Sequence, residues 1–206
     1  MGIVRGRFIT FEGIDGAGKT TQIDALERLI RAKGIEVVRT REPGGTPVGE
    51  KIRSLLLNDE MTVRTETLLF FAARAEHVET VIRPALERGA WVLSDRFTDA
   101  TYAYQTGAKG FPGTDVEELE IWTLGGFAPD RTVLFDITPE EAARRRTARA
   151  GEGDRFERES REFFMRVRNA YLDRARRNPA RFLTVNAADT PDNIEAQIRE
   201  EFSKWL

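Results

Sequence analysis

Residues 13–20 read Gly13-Ile14-Asp15-Gly16-Ala17-Gly18-Lys19-Thr20, which matches the Walker A pattern of a phosphate-binding P-loop at every fixed position. Its glycines let the backbone wrap closely around a phosphate, so that consecutive N–H groups point at the phosphate oxygens. We expect Lys19 to reach the β and γ phosphates of a nucleoside triphosphate, and the Thr20 hydroxyl to bind Mg²⁺. The predicted triphosphate contacts are Gly13, Ile14, Asp15, Gly16, Ala17, Gly18, Lys19, Thr20 and Thr21.

The segments around this loop favour a parallel α/β sheet. Short runs rich in Val, Ile or Phe alternate with segments of helix length, as in βαβ units. The loop opens a predicted helix from Lys19 to about Lys33, whose N-terminal dipole favours anions. The predicted strands are Arg7–Phe11, Ile35–Val38, Trp91–Ser94, Thr132–Ile137 and Phe182–Val185. We therefore predict an α/β protein with a three-layer P-loop fold, in which helices flank a five-stranded, mostly parallel sheet.

Composition and length limit the classes of function. The 206 residues suit one domain, and neither an internal repeat nor a Pro/Gly-rich linker divides them. The formal net charge of -2 gives no general attraction to nucleic acid or to an anionic membrane. No apolar run approaches the ~18–20 residues that span a bilayer. Since no signal-peptide pattern precedes the first strand, we expect a cytoplasmic protein without membrane or nucleic-acid partners.

Cysteine and histidine usage excludes further chemistry. The chain has no cysteine, which excludes disulfides, thiolate catalysis and Cys-type zinc sites. Its one histidine, His77, makes His-based metal sites and Ser-His-Asp catalysis improbable. We expect His77 to be an incidental helix residue.

The remaining question is which kind of P-loop protein this is. A switch GTPase needs an Asn-Lys-x-Asp motif, and Asn186-Ala187-Ala188-Asp189 lacks the lysine. Motor ATPases generally need a longer chain. A nucleoside monophosphate kinase architecture remains, with a short basic lid at about residues 144–156, where four arginines precede a polar Gly-containing stretch.

Four stretches then resemble bacterial thymidylate kinases, in order and spacing that cover essentially the whole chain. They are Phe11-Glu12-Gly13-Ile14-Asp15-Gly16-Ala17-Gly18-Lys19-Thr20-Thr21-Gln22, Thr40-Arg41-Glu42-Pro43-Gly44-Gly45-Thr46, Leu69-Phe70-Phe71-Ala72-Ala73-Arg74 and Ser94-Asp95-Arg96-Phe97. The resemblance implies Mg²⁺-assisted phosphorylation of dTMP to dTDP by ATP, in a homodimer. The alternatives are a kinase for another nucleoside monophosphate or a deoxynucleoside, and a nucleotide-dependent switch or interaction module.

Phosphoryl transfer needs positioning and positive charge more than acid–base chemistry. The expected catalytic residues are Lys19, Asp15, Arg96 and Arg149. In the resembled family, a carboxylate at the position of Asp15 holds the 3′-hydroxyl of the acceptor sugar. Some members carry a catalytic arginine in the P-loop where this chain has Gly16, so such an arginine must come from elsewhere, and the lid is the obvious source. We favour Arg149 for this, and expect Arg145 against the ATP adenine.

Asp95 and Arg96 follow a predicted strand, at the end where open α/β sheets bind ligands. We expect Arg96 to clamp the acceptor phosphate, and Asp95 to hold Mg²⁺-bound water or to orient Arg96. Arg41 follows the second strand in the same way and is expected to be a second phosphate ligand. The sequence does not determine whether the peptide bond before Pro43 is cis.

The acceptor base is assigned to Phe70 and Arg74, which share a helix face at i and i+4. We expect Phe70 to stack on the pyrimidine and Arg74 to contact thymine O4, although without the resemblance Phe70 fits a core residue better. The resemblance also implies that Thr101 lies near the base edge and that Tyr104 excludes a 2′-hydroxyl. Gln105 completes the predicted acceptor pocket.

Overall fold

Five parallel strands form the central sheet, and the loop of residues 13–20 follows the carboxyl end of its middle strand. The computed structural model describes residues 5–147, 155–156 and 158–206. The strand order is β2-β3-β1-β4-β5, and each pairing is parallel. The strands are β1 (Phe8–Glu12), β2 (Val37–Arg41), β3 (Trp91–Asp95), β4 (Arg131–Asp136) and β5 (Phe182–Asn186). The predicted strands are confirmed with small shifts, and the mostly parallel sheet is wholly parallel.

Helices connect the strands and cover both faces of the sheet. They are α1 (Lys19–Arg31), α2 (Pro47–Asn58), α3 (Val63–His77), α4 (Arg83–Glu87), α5 (Thr98–Thr101), α6 (Gly113–Leu124), α7 (Pro139–Thr147), α8 (Arg161–Arg177) and α9 (Pro191–Ser203). Two π-helical segments, Val78–Ile82 and Tyr102–Ala108, follow α3 and α5. Such segments are rare and concentrate at functional sites. Here the second one carries Tyr104 and Gln105.

The residues of β1 show why three layers form. All five are buried, and successive side chains point to opposite faces of the sheet. Phe8 packs with Val78 and Ile82 on one side, whereas Phe11 belongs to the cluster that contains Ile23 of α1. Fully burying each such side chain contributes roughly 1.5–3 kcal/mol, so helices on both faces stabilise this strand.

The parallel arrangement brings three strand ends together. In the register of the sheet, Phe11 lies opposite Asp95, and Asp95 lies opposite Arg41. The residues that follow β1, β2 and β3 therefore meet at one edge, where α/β sheets bind ligands. Within the described ranges, no helix has the length and apolar character needed to cross a membrane.

Candidate active site

The P-loop backbone adopts a conformation that only glycine accommodates at two critical positions. Gly13 has φ 134° and Gly16 has φ 90°. A Cβ atom would lie 2.7 Å from the Phe135 carbonyl oxygen at Gly13, and 2.5 Å from the Ala142 carbonyl oxygen at Gly16. The following helix, α1, has no side-chain cap and no acidic residue in its first turn. Its first N–H groups therefore remain available to an anion.

Lys19 contacts the backbone of the P-loop and two of the predicted carboxylates. Its ammonium group is almost buried and donates a hydrogen bond to the Gly13 carbonyl oxygen at 3.3 Å. The same nitrogen lies 3.8 Å from Asp15 Oδ1 and 3.7 Å from Asp95 Oδ1. Thr20 is exposed beside it. The structure thus brings Lys19, Asp15 and Asp95 together beside the P-loop.

Arg96 is held in a strained backbone conformation at the end of β3. Among the described residues it is the only non-glycine with positive φ, at 73°. Its guanidinium donates hydrogen bonds to Asp15 Oδ1 at 2.8 Å, to the Tyr104 hydroxyl at 3.2 Å and to the Tyr171 hydroxyl at 3.0 Å. The three acceptors belong to separate parts of the chain, and together they fix the guanidinium beside the P-loop.

Asp15 and Arg96 each stabilise the ionised form of the other. Burial acts to raise the pKa of Asp15, but the nearby Arg96 and Lys19 outweigh it and lower that pKa to about 2. Burial likewise acts to lower the pKa of Arg96, but Asp15, Tyr104, Tyr171 and Asp95 together outweigh it, and the pKa lies well above the usual value. Asp15 is therefore an anion, and Arg96 a cation, throughout the neutral pH range.

Glu12, which shares the Tyr171 hydroxyl with Arg96, is absent from the predicted site. This wholly buried carboxyl accepts hydrogen bonds from the Phe97 N–H at 2.7 Å and from the Tyr171 hydroxyl at 2.8 Å. Burial and the neighbouring Asp99 raise the pKa of Glu12 to about 8, against the opposing effect of Arg96. A glutamate directly after the predicted strand Arg7–Phe11 was the available sequence signal.

A cavity opens beside Arg96 and receives most of the predicted acceptor residues. The residues that line it are Asp15, Glu42, Pro43, Arg53, Leu57, Phe70, Arg74, Arg96, Phe97, Ala100, Thr101, Tyr104, Gln105 and Phe156. Phe70, Arg74, Thr101, Tyr104 and Gln105 were all predicted to meet here. The cavity combines aromatic rings with cationic side chains, which suits a ligand that has both a flat ring and a phosphate.

Arg74 is oriented within this cavity by a buried chain of polar groups. It donates to Glu42 Oε2 at 2.7 Å and to Thr101 Oγ1 at 3.1 Å, while its Nη1 has no partner among the described residues. Glu42 also bonds His77 Nδ1 at 3.0 Å, and His77 Nε2 lies 2.6 Å from Thr40 Oγ1. The expectation that His77 is incidental is therefore wrong, because this wholly buried ring supports Glu42.

The carboxylates at the site suit a cation that is held mainly by phosphates. In the described ranges no group of three or more His, Asp or Glu residues is arranged to hold a metal ion. Asp95 Oδ1 is nevertheless buried without a hydrogen-bond partner. Mg²⁺ in nucleotide enzymes takes one or two protein oxygens and otherwise binds phosphates and water, so Asp95 and Thr20 fit this role.

Comparisons with known proteins identify the family of the chain. The family model described as thymidylate kinase matches residues 11–198. The chain belongs to the thymidylate kinase family. A thymidylate kinase of Methylobacillus flagellatus is 54% identical over 195 residues, covering 95% of this chain and 96% of the relative. One of Paraburkholderia xenovorans is 54% identical over 202 residues, covering 96% and 98%.

A solved structure shows the same architecture. The crystal structure of thymidylate kinase from Ehrlichia chaffeensis superposes with a TM-score of 0.78 at 33% identity, covering 96% of this chain and 99% of that one. The predicted α/β P-loop fold and the predicted membership of the thymidylate kinase family are therefore confirmed.

Two predicted arginines of this thymidylate kinase family member do not line the cavity, and a third lies outside the residues that the structure describes. Arg41 is exposed and pairs with Glu50 at 2.9 Å, and it does not line the cavity. Arg145 bonds Glu141 Oε1 at 3.1 Å and the Ala187 carbonyl oxygen at 2.9 Å. Arg149 lies outside the described residues, as does most of the predicted lid. The roles assigned to these arginines stay predictions.

Another lid-side arginine does contact the P-loop. Arg146 donates a hydrogen bond to the Asp15 carbonyl oxygen at 2.7 Å. Its Cγ lies 3.2 Å from the position that a Cβ atom would take at Gly16. The missing side chain at Gly16 therefore makes room for Arg146. The bond before Pro43, which the sequence left open, is cis.

Proposed function

We propose that this protein transfers the γ-phosphoryl group of ATP to dTMP, giving ADP and dTDP. The observation that carries this proposal is the 2.8 Å contact between Arg96 and Asp15. Arg96 lines the acceptor cavity, and Asp15 belongs to the P-loop. A donor bound on the loop and an acceptor bound in the cavity would therefore meet at this pair, as in-line phosphoryl transfer requires.

On the donor side, the chain supplies amides and a cation. The P-loop N–H groups would hold the triphosphate, and Lys19 would leave the Gly13 carbonyl to reach the β and γ phosphates. Thr20 and Asp95 would bind Mg²⁺ directly or through water. When bound, Mg²⁺ neutralises charge on the phosphates of ATP. Arg145 beside the adenine and Arg149 at the transferring phosphoryl group complete the proposed donor contacts.

On the acceptor side, the site needs no strong general base, because the attacking phosphate oxygen is already anionic. Arg96 would bind that phosphate, with Arg41 as a second ligand. Asp15 would accept a hydrogen bond from the 3′-hydroxyl of the deoxyribose. Phe70 would stack on thymine, while the unpartnered Nη1 of Arg74 supports a hydrogen bond to the base. Thr101, Tyr104 and Gln105 would enclose the base edge and the deoxyribose.

The proposal includes a homodimer. Large apolar side chains are exposed on α2, α3 and α6, where they form no part of the core. Trp122 is 85% exposed, Ile121 63% and Leu68 49%. Exposed apolar groups on adjacent helices favour association with another protein surface, and a second copy is the simplest partner. Light scattering of the wild type and of Trp122→Glu tests this, since the charge should shift a dimer to a monomer.

The activity is tested by ADP release with Mg²⁺·ATP against dTMP, dUMP, UMP, CMP, AMP, GMP and thymidine. We expect strong turnover with dTMP, weaker turnover with dUMP and negligible turnover with the others. Arg96→Ala should lower kcat/KM for dTMP by about 100-fold or more, because the proposed ligand of the acceptor phosphate is lost together with its ion pair to Asp15. Arg88→Ala removes an exposed arginine paired with Glu36 and is the matched control. Preference for another acceptor would overturn the assignment of dTMP but leave ATP binding intact.

A further inference from the structure

Glu66, in the first turn of α3, is a wholly buried carboxylate that collects two cations. Lys109 Nζ lies 2.8 Å from its Oε1 and 2.7 Å from its Oε2, and Arg155 Nη2 lies 2.6 Å from Oε2. Gln105 Nε2 also donates to Oε1 at 2.8 Å. A buried carboxylate is costly unless it is fully paired, so Glu66 and these partners act as one unit.

The unit joins segments that are distant in sequence. Arg155 also donates to the Leu56 carbonyl oxygen, from Nε at 3.2 Å and from Nη2 at 2.9 Å. Leu56 lies in the last turn of α2, and Lys109 follows the π-helical segment. Glu66 therefore ties the residues at 155–156 to both sides of the acceptor cavity.

The same two cations hold an aromatic ring. The Phe156 ring centroid is 4.7 Å from the Arg155 guanidinium carbon and 4.7 Å from Lys109 Nζ. Both distances suit cation–π contacts, which strengthen away from water. Phe156 is only 8% exposed and lines the cavity.

Phe156 in turn contacts the aromatic residues assigned to the acceptor. Its ring centroid lies 6.2 Å from that of Phe70 and 6.0 Å from that of Tyr104, edge to face with the latter. These are ordinary separations for stabilising aromatic pairs. A displaced Phe156 would therefore leave Phe70 and Tyr104 without one of their packing partners.

We propose that Glu66 is a positioning residue of the acceptor pocket, which acts through Arg155 and Lys109 to hold Phe156 against Phe70 and Tyr104. This inference rests on the proposed function, because it concerns the pocket assigned to dTMP. With a neutral side chain at position 66, the two cations lose their common anion and repel each other. Phe156 and Gln105 then lose their fixed positions in the cavity wall. The donor side, where Lys19 contacts Gly13, Asp15 and Asp95, has separate partners.

The test compares equilibrium binding of dTMP and of ATP by calorimetry, without turnover. Glu66→Gln keeps the shape of the side chain and removes its charge. We expect the dissociation constant of dTMP to rise about tenfold, as coupling energies within such networks allow, and that of ATP to change less than about twofold. Glu36→Gln makes the same change in an exposed ion pair and should alter neither constant.

A double-mutant cycle shows whether Glu66 acts through Phe156. Phe156→Leu should weaken dTMP binding by itself, and adding Glu66→Gln should weaken it little further, because both changes remove the same contact. The proposal is wrong if the double variant weakens dTMP binding by the product of the two single effects. It is also wrong if Glu66→Gln binds dTMP as the wild type does. Should Glu66→Gln not fold, Arg155→Gln enters the same cycle, since Lys109 still pairs with Glu66.

These outcomes are separable from failure of the proposed function. A wild type that binds ATP but not dTMP would refute the assignment of dTMP alone. The cycle would then be measured with whichever nucleoside monophosphate the wild type binds, and the same criterion of non-additivity would apply.

Discussion

The hydroxyl of Tyr171 accepts a hydrogen bond from Arg96 at 3.0 Å and donates one to Glu12 at 2.8 Å. Tyr171 belongs to α8, whereas Arg96 follows β3, so the hydroxyl connects the helix layer to the end of the sheet. The bonds to Tyr171, Tyr104 and Asp15 hold Arg96 in a backbone conformation that non-glycine residues rarely adopt. The geometry of the proposed phosphate clamp is therefore maintained at the expense of local strain.

The strain at Arg96 predicts an unusual order of stabilities. Arg96→Ala keeps a Cβ atom at φ 73°, whereas Arg96→Gly removes it. We expect the glycine variant to exceed the alanine variant in free energy of unfolding by about 1 kcal/mol, although glycine ordinarily destabilises folded proteins. Both variants should show the same loss of about 100-fold or more in kcat/KM for dTMP. Urea unfolding measures the difference, and a more stable alanine variant would show that the backbone is unstrained.

The raised pKa of Glu12 predicts a specific dependence of stability on pH. In the unfolded chain this carboxyl has its usual pKa of 4.5, whereas in the folded protein it keeps its proton until about pH 8. Between these values the unfolded state binds fewer protons, so the free energy of unfolding falls as pH rises and levels off above the folded pKa.

The glutamine of the Glu12→Gln variant cannot ionise, so the variant should not lose stability in this way as the pH rises. Relative to the wild type, the variant should therefore gain stability steadily between about pH 5 and pH 8. Urea unfolding of both proteins across this range measures the gain. A constant difference between the two curves would mean that Glu12 ionises normally in the folded state.

The buried hydrogen bonds that link Arg74, Glu42 and His77 predict which substitutions reduce stability most. Glu42→Ala leaves the buried Arg74 without its anion and should destabilise the protein by about 3–5 kcal/mol. His77→Leu removes only the hydrogen bonds to Glu42 and Thr40, so about 1–3 kcal/mol is expected.

The dissociation constant of dTMP should follow the same order, because both residues act through Arg74. Calorimetric titration of the two variants measures it, and Glu36→Ala at the exposed pair with Arg88 is the control. Equal effects of Glu42→Ala and His77→Leu would argue against a role of Glu42 in orienting Arg74.

The crowding around Gly16 predicts that even a methyl group is harmful there. A Cβ atom would lie 2.5 Å from the Ala142 carbonyl oxygen, so Gly16→Ala must displace either the P-loop or α7. We expect the dissociation constant of ATP to rise by about tenfold or more, as loss of about 1.4 kcal/mol or more implies.

Gly34→Ala provides the matched control for this substitution. Gly34 also has positive φ, at 77°, but nothing lies within 4 Å of its would-be Cβ atom. Its substitution should cost only the backbone strain of about 1–2 kcal/mol and leave ATP binding unchanged. If the two variants bind ATP equally well, crowding at Gly16 has no functional role.

The sequence predicted those parts of the site that depend on local pattern. The P-loop glycines, Lys19 and the Asp95-Arg96 pair each combine a fixed spacing with a position at the end of an apolar strand. Such features are determined by residues close in the chain, so they are readable without a structure.

The missed residues depend instead on partners far away in the chain. Tyr171 and Glu12 are 159 positions apart, and Arg155 and Glu66 are 89 apart. A charged residue in a sequence is ordinarily read as exposed, and only the fold reveals that it is buried and paired. His77 was misjudged for this reason, since nothing local indicates that Glu42 and Thr40 surround its ring.

The exposure of Trp122 gives the chain an intrinsic optical reporter. The chain has three tryptophans. Trp91 is 5% exposed and packs edge to face with Trp205, whereas Trp122 is 85% exposed. An aqueous quencher such as iodide therefore reaches Trp122 more readily than the buried Trp91, and the emission of Trp122 is red-shifted relative to that of Trp91. Any partner that covers α6 would shield this indole, so association becomes visible as a loss of quenching without an added label.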